Sequence, residues 1–166
     1  PDDASGNATI LRDTLRDYAR NQVRARVSAT GEPPQGFDIN RIVFTYLDYL
    51  LVSRTGSADF RFTYRNSIEH FYPQSPDVEQ SGDAVSADCL NLFGHLALVS
   101  VGANSKFSNS LPRAKAENFK ETIERQSPKL HLMAETTRTH GWGDEQVREH
   151  HRQMVDLLRS DLRISR

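Results

Sequence analysis

The sequence contains a single cysteine, Cys89, and this excludes an internal disulfide bond. It also lacks any Cys-x-x-Cys pair, so the chain carries no cysteine-based zinc ribbon of the kind that stabilises many small domains. We interpret Cys89 as a small buried apolar residue in a protein that works in a reducing, cytosolic setting. The class of disulfide-rich secreted domains is therefore excluded.

Long apolar runs are absent as well. No stretch approaches the roughly 20 apolar residues that a membrane-spanning helix needs, and residues 1–3 lack the basic start and apolar centre of a signal peptide. We therefore expect a cytoplasmic protein with no membrane partner. Because the sequence starts without methionine and with a lead-in of small and acidic residues, we also expect it to be a domain excised from a larger protein.

An excess of positive charge is missing too. The chain has 21 Lys and Arg against 22 Asp and Glu, a formal net charge of −1, so there is no overall basic field to attract nucleic acid. From Lys106 to Lys129, however, six basic residues face three acidic ones. This stretch could therefore form a local basic surface.

The 166 residues fit one domain, 1–166, with a core of its own. Apolar residues at helical spacing, with proline and glycine as breaks, predict helices over residues 38–53, 113–126, 128–140 and 144–162. Alternating aromatic and polar residues predict a short strand over 60–64, and extended segments are expected at 67–72 and 96–99. The expected fold class is a predominantly helical α+β domain.

Two short motifs carry the chemistry: Ile68-Glu69-His70-Phe71-Tyr72-Pro73-Gln74 and Asn104-Ser105-Lys106-Phe107-Ser108-Asn109. Hydrolysis of a phosphodiester needs a base that works near neutral pH, and imidazole is the side chain suited to deprotonating water there. It also needs a hard divalent cation, which prefers carboxylate and carbonyl oxygen ligands. His70 is the candidate base, and Glu69 and Asn104 are candidate ligands.

These two motifs, with Gly94-His95-Leu96 between them, resemble the HNH (ββα-metal) endonuclease module at the C-terminus of GmrSD-type modification-dependent restriction enzymes, to which the phage-defence protein SspE is similar. The resemblance implies a ββα-metal core with flanking helices and a DNA endonuclease that uses Mg²⁺ or Mn²⁺. It further implies that the chain is the C-terminal part of a larger protein whose N-terminal domain hydrolyses a nucleotide and senses the target.

The resemblance also assigns roles to individual residues. His70 is the expected general base, Glu69 and Asn104 are the expected metal ligands, and His95 is expected to prop up the loop that carries the base. Lys106, Asn109 and Arg61 are candidates for contacts with the nucleic acid, with ordinary surface positions as the alternative.

His95 departs from the family pattern, in which asparagine usually follows the glycine. The imidazole could keep the same hydrogen bonds, add a phosphate contact, or mark a loss of activity. Asn91, four residues earlier, is a weaker candidate for the missing asparagine, and a solvated or capping position is the alternative for it.

Two other functions compete with nuclease activity. A catalytically inactive DNA-binding module would keep the loops and the basic helix, and the His95 departure favours it. A helical protein-interaction domain with a coincidental motif would have no affinity for metal.

Overall fold

A computed structural model of the chain describes residues 3–27, 31–56, 60–76 and 84–164, with side chains from residue 13 onward. The described residues form a predominantly helical α+β fold, which confirms the expected class. The helices are α1 (Asp3–Arg24), α2 (Arg41–Thr55), α3 (Ala87–Leu90), α4 (Val101–Phe107), α5 (Pro112–Asn118), α6 (Lys120–Gln126), α7 (Pro128–His140) and α8 (Asp144–Leu162). The strands are β1 (Ser67–His70) and β2 (Leu96–Val99), and short 3-10 turns lie at Gly36–Asp38 and Phe93–His95.

The two strands form an antiparallel sheet in which Ser67 lies opposite Val99 and His70 lies opposite Leu96. Both faces of this sheet are covered. Ile68 and Leu98 point into one apolar cluster together with residues of α2 and α8, and Val99 belongs to a second cluster built mainly from α4 to α8. The sheet therefore separates two cores, and the edge of β1 that does not pair with β2 is left for the site.

Local signals set the ends of several helices. The Asn40 side chain accepts a hydrogen bond from the Ile42 amide and so starts α2, three residues later than the predicted start at residue 38. Gly56, which adopts a left-handed conformation with φ of 65°, ends it. The boundaries predicted for α7 and α8 are confirmed, because Ser127 caps the first of these helices and Gly141 ends it.

The strand predicted over residues 60–64 is wrong: residues 60–66 form no strand. The alternating aromatic residues serve another purpose, since Phe60 and Phe62 pack edge to face and both lie beside the Arg65 guanidinium. Arg65 in turn makes a buried ion pair with Asp48 at 2.6 Å. Arg65 is thus an interior structural residue.

The helix predicted over residues 113–126 is interrupted. Phe119 leaves the helical conformation, with φ of −122° and ψ of 27°, and separates α5 from α6. Its ring packs edge to face on Phe107 at 5.5 Å, which ties the break to the end of α4. The apolar spacing alone could not show that interruption.

Very close packing joins the turn Phe93–His95 to α8. A Cβ atom on Gly94 would lie 2.3 Å from the backbone of His151, so no other residue fits there without moving the helix. The Gly94 amide also donates to His151 Nδ1 at 3.2 Å. This contact fixes the backbone on which His95 sits.

No helix in the described ranges combines the length and the apolar character that crossing a membrane would require.

Candidate active site

A polar cleft of about 390 Å³ runs along the free edge of β1. Five consecutive residues, Asn66 to His70, line one side of it, which places the cleft at the strand edge rather than on either face of the sheet. Residues from the Gly36–Asp38 turn, α2, the loop after β1, α4 and the segment after α4 complete the wall: Phe37, Arg41, Pro73, Gln74, Ser75, Asn104, Ser108 and Asn109. The structure thus brings the predicted base and metal ligands, Glu69, His70 and Asn104, to one cleft.

His70 ends β1 and is 7% exposed. Its Nε2 lies 3.0 Å from Asn91 Oδ1, and because an amide oxygen can only accept, Nε2 carries the proton and donates. The lone pair of the neutral ring is then on Nδ1. Burial lowers the pKa of His70 from its ordinary value, although the Asn91 hydrogen bond opposes this effect. The ring is therefore neutral near pH 7, the form that a general base requires.

Asn91 and the Gly36–Asp38 turn hold the His70 ring in place. The backbone carbonyl of Asn91 accepts a hydrogen bond from the Gly36 amide at 2.8 Å, so the turn is fastened to the segment that carries Asn91. This attachment sets the Phe37 ring 5.3 Å from the His70 ring. His70 is consequently held at Nε2 and packed on one side of its ring.

Glu69 is 4% exposed, and its Oε1 accepts a hydrogen bond from the ammonium of Lys115 on α5. The same ammonium donates to the backbone carbonyls of His70 at 3.0 Å and Phe71 at 2.9 Å. Burial raises the pKa of the Glu69 carboxyl, and the Lys115 ammonium partly offsets that rise. Lys115 thus ties α5 to the end of β1 and occupies one oxygen of the carboxylate.

Asn104 lies in the middle of α4, a helix that begins where the Ser100 side chain caps the Ala103 amide. The Asn104 amide nitrogen donates to Ser67 Oγ at 2.7 Å. Ser67 and Glu69 are two residues apart on β1, so their side chains leave the strand on the same side. This hydrogen bond uses the amide nitrogen, so the carbonyl oxygen is the Asn104 atom that remains to bind a metal ion in the cleft.

Glu69 and Asn104 provide oxygen donors of the kind that Mg²⁺ or Mn²⁺ prefers. The described residues contain no cluster of three or more His, Cys, Asp or Glu side chains, so a complete protein cage for a metal is absent from that part of the chain. Mg²⁺ commonly binds through one or two protein oxygens, several waters and substrate phosphate. The donor set fits such an open site, with Lys115 reducing the charge that Glu69 offers.

His95 does not line the cleft and has no exposed surface. The Trp142 indole N–H, which can only donate, lies 3.1 Å from His95 Nδ1. The proton of the neutral ring is therefore on Nε2, which donates to the Tyr72 carbonyl at 3.1 Å. Burial lowers the pKa of His95 to about 3. The ring joins the loop after β1 to the segment before α8, and its burial rules out a phosphate contact.

The three candidates for nucleic-acid contact are spread out. Asn109 lines the cleft, whereas Lys106 is exposed on α4 and Arg61 is exposed in the segment before β1, both outside the cleft lining. Two of the six basic residues between positions 106 and 129, Lys115 and Lys129, are about 1% exposed. The basic surface considered for that stretch is correspondingly smaller.

Sequence reasoning missed the role of several residues. Arg41 lines the cleft although it is distant from both motifs, and Trp142 and Lys115 contact site residues 45 or more positions away. Asn91 was considered only as a replacement for the family asparagine or as a capping residue. The useful signal for Asn91 was its place in Cys89-Leu90-Asn91-Leu92, directly before the Phe93–His95 turn that leads into β2.

A comparison with models of protein families gave a match. The family model described as GmrSD restriction endonucleases, C-terminal domain, matches residues 10–157. A search of the curated proteins and a search of the solved structures returned no match, so the similarity to SspE stays a prediction.

Proposed function

Because the chain belongs to the family of C-terminal domains of GmrSD restriction endonucleases, we propose that it is a metal-dependent endonuclease of the HNH (ββα-metal) type that nicks DNA. The family implies an endonuclease with DNA as substrate. The metal requirement, the HNH chemistry and nicking as the product are the proposed detail.

One observation carries this proposal: Glu69, His70 and Asn104 line a single cleft. Glu69 and His70 are adjacent at the end of β1, and Asn104 lies on α4, which follows β2 directly. A base and two oxygen donors at one strand edge are what hydrolysis of a phosphodiester requires.

In the proposed reaction, His70 Nδ1 takes a proton from the attacking water. Asn91 Oδ1 accepts from Nε2–H, fixing the tautomer and stabilising the positive charge that the ring gains. Glu69 and Asn104 would hold the divalent ion, which supplies positive charge for the phosphate and the leaving oxygen. His95 acts indirectly, by holding the loop after β1 in place. A single site cuts one strand per encounter, so nicking is the expected product.

The setting follows the family. We propose that the intact protein carries an N-terminal domain that hydrolyses a nucleotide and selects the target, and that the protein works in the cytoplasm. The 166 residues alone would then nick DNA with little sequence preference.

A second candidate is a DNA-binding module without nuclease activity. The buried hydrogen bond between Lys115 and Glu69 favours it, because an ammonium beside the carboxylate neutralises the charge that would attract a metal ion. The two candidates differ in their response to metal, since the inactive module would bind DNA and leave it intact.

Plasmid nicking with Mg²⁺ or Mn²⁺, against a chelated control, tests the proposal. We expect wild-type chain to convert supercoiled plasmid to the open circle, and His70→Ala to lose this activity because water is no longer deprotonated. His140→Ala is the matched control, since His140 is exposed on α7 and outside the cleft lining. Circular dichroism must show that both variants are folded. Full nicking by His70→Ala would exclude His70 as the base, and intact plasmid with the wild type would favour the DNA-binding module.

A further inference from the structure

Arg41 is the one cationic side chain among the described residues that line the cleft. It is the first residue of α2, and its Nη1 donates to the Phe37 carbonyl at 3.0 Å. The Phe37 ring, in turn, contacts the His70 ring. Phe37 therefore connects the guanidinium to the proposed base.

The charge of Arg41 is not balanced by a carboxylate in the described part of the chain. Arg20, Arg65 and Arg152 all form ion pairs with carboxylates, whereas no described carboxylate pairs with Arg41. Its Nε is buried and has no hydrogen-bond partner within the described ranges. The Nε of Arg65, which lies outside the cleft, is in the same state, so it is the unpaired charge of Arg41 in the cleft that favours an anionic ligand.

The position of Arg41 at the start of α2 is also electrostatically unfavourable. The N-terminus of a helix carries partial positive charge, which disfavours a cation there, and the first turn of α2 contains no acidic residue to compensate. An anion in the cleft would satisfy both the guanidinium and the helix end. Guanidinium binds phosphate oxygens with two parallel hydrogen bonds, and phosphate is the anion that a nuclease substrate brings.

We infer that Arg41 binds a backbone phosphate of the substrate DNA in the cleft, beside the phosphodiester bond whose hydrolysis we assign to His70. This inference rests on the proposed function. It assigns Arg41 a substrate-binding role, distinct from the water activation at His70 and from the oxygen donors Glu69 and Asn104.

Binding of a short DNA duplex, followed by fluorescence anisotropy in EDTA and again with Ca²⁺, tests the inference without cleavage. Loss of one phosphate contact reduces the slope of log K against log salt by about 0.9, which changes the ratio of Kd values at 200 and 50 mM salt by roughly threefold. We expect Arg41→Gln to show this reduction in slope and a raised KM for nicking. Arg41→Lys should keep the slope, since it keeps the charge, but should bind more weakly.

Arg54→Gln is the matched control. Arg54 lies in the last turn of α2, outside the cleft lining, and its substitution changes the net charge equally. Arg41→Gln should melt close to the wild type, because loss of the hydrogen bond to the Phe37 carbonyl offsets the removal of a cation from a helix N-terminus. If the slopes and KM values of the two glutamine variants agree, or if wild-type chain binds no duplex, the inference is overturned. If wild-type chain binds DNA but never nicks it, the proposed function fails while the slopes still decide the role of Arg41.

Discussion

The buried ring of His95 makes a specific prediction about stability in acid. Its pKa is about 3 in the folded chain, against about 6.5 for an unfolded histidine. Between these pH values the unfolded state binds a proton that the folded state does not. The contribution of the neutral ring to stability is therefore fully present above pH 6.5 and is lost as the pH decreases. One such group lowers the free energy of unfolding by about 1.4 kcal/mol per pH unit, or about 2 kcal/mol between pH 7 and pH 5.

Replacing His95 with asparagine should remove this slope. At pH 7 we expect His95→Asn to be less stable by about 1–3 kcal/mol, because the shorter amide leaves one of the groups on Tyr72 or Trp142 unpaired. At pH 5 the difference between wild type and variant should be smaller by about 2 kcal/mol, since only the wild type loses the contribution of a neutral imidazole.

Urea denaturation at pH 7, 6 and 5 measures the difference, and contributions from other titrating groups cancel in the comparison. His140→Asn, at an exposed position on α7, should follow the wild type at every pH. A gap between wild type and His95→Asn that stays constant from pH 7 to pH 5 would refute the assignment of His95 as a buried neutral ring.

Two further predictions concern the proposed site. Because burial lowers the pKa of His70, the nicking rate should rise with pH through a midpoint below 6.5 and then level off. A pH profile of kcat/KM measures this midpoint, and a value well above 6.5 would contradict the assignment of His70 as the base. Lys115→Met should lower the free energy of unfolding by about 3–5 kcal/mol, because it leaves the Glu69 carboxylate buried without its partner, and added Mg²⁺ should stabilise this variant more than the wild type. Lys120→Met, at an exposed position, is the control in urea denaturation, and equal stability of the two variants would show that the Lys115 interaction contributes nothing.

The sequence could predict what depends on neighbouring residues. Ser127 followed by proline, and glycine at 141, marked the ends of α7, and apolar spacing marked α8. Glu69 and His70 are neighbours in the sequence, so a single strand was enough to bring both of them to the cleft. Partners far along the chain were beyond such reasoning, because packing decides them.

Three contacts illustrate that limit. Trp142 meets His95 across 47 positions, and Gly94 meets His151 across 57. Neither contact follows from a local pattern. Lys115 is the clearest case: a lysine in a short helix that also carries the exposed residues Arg113 and Glu117 reads as a surface residue, and only the approach of α5 to the end of β1 shows why it is buried.

The interaction of Lys115 with Glu69 has a consequence for how the domain depends on metal. Lys115 acts as a counterion tethered by the chain itself, so the carboxylate has positive charge beside it before any ion arrives. In zinc fingers, by contrast, the metal supplies the folding free energy, and a chelator unfolds the domain. We therefore expect this domain to fold without a metal ion. A chelator should therefore stop the proposed reaction within seconds while leaving the lifetime of the folded domain unchanged, and returning the ion should restart the reaction without a refolding delay.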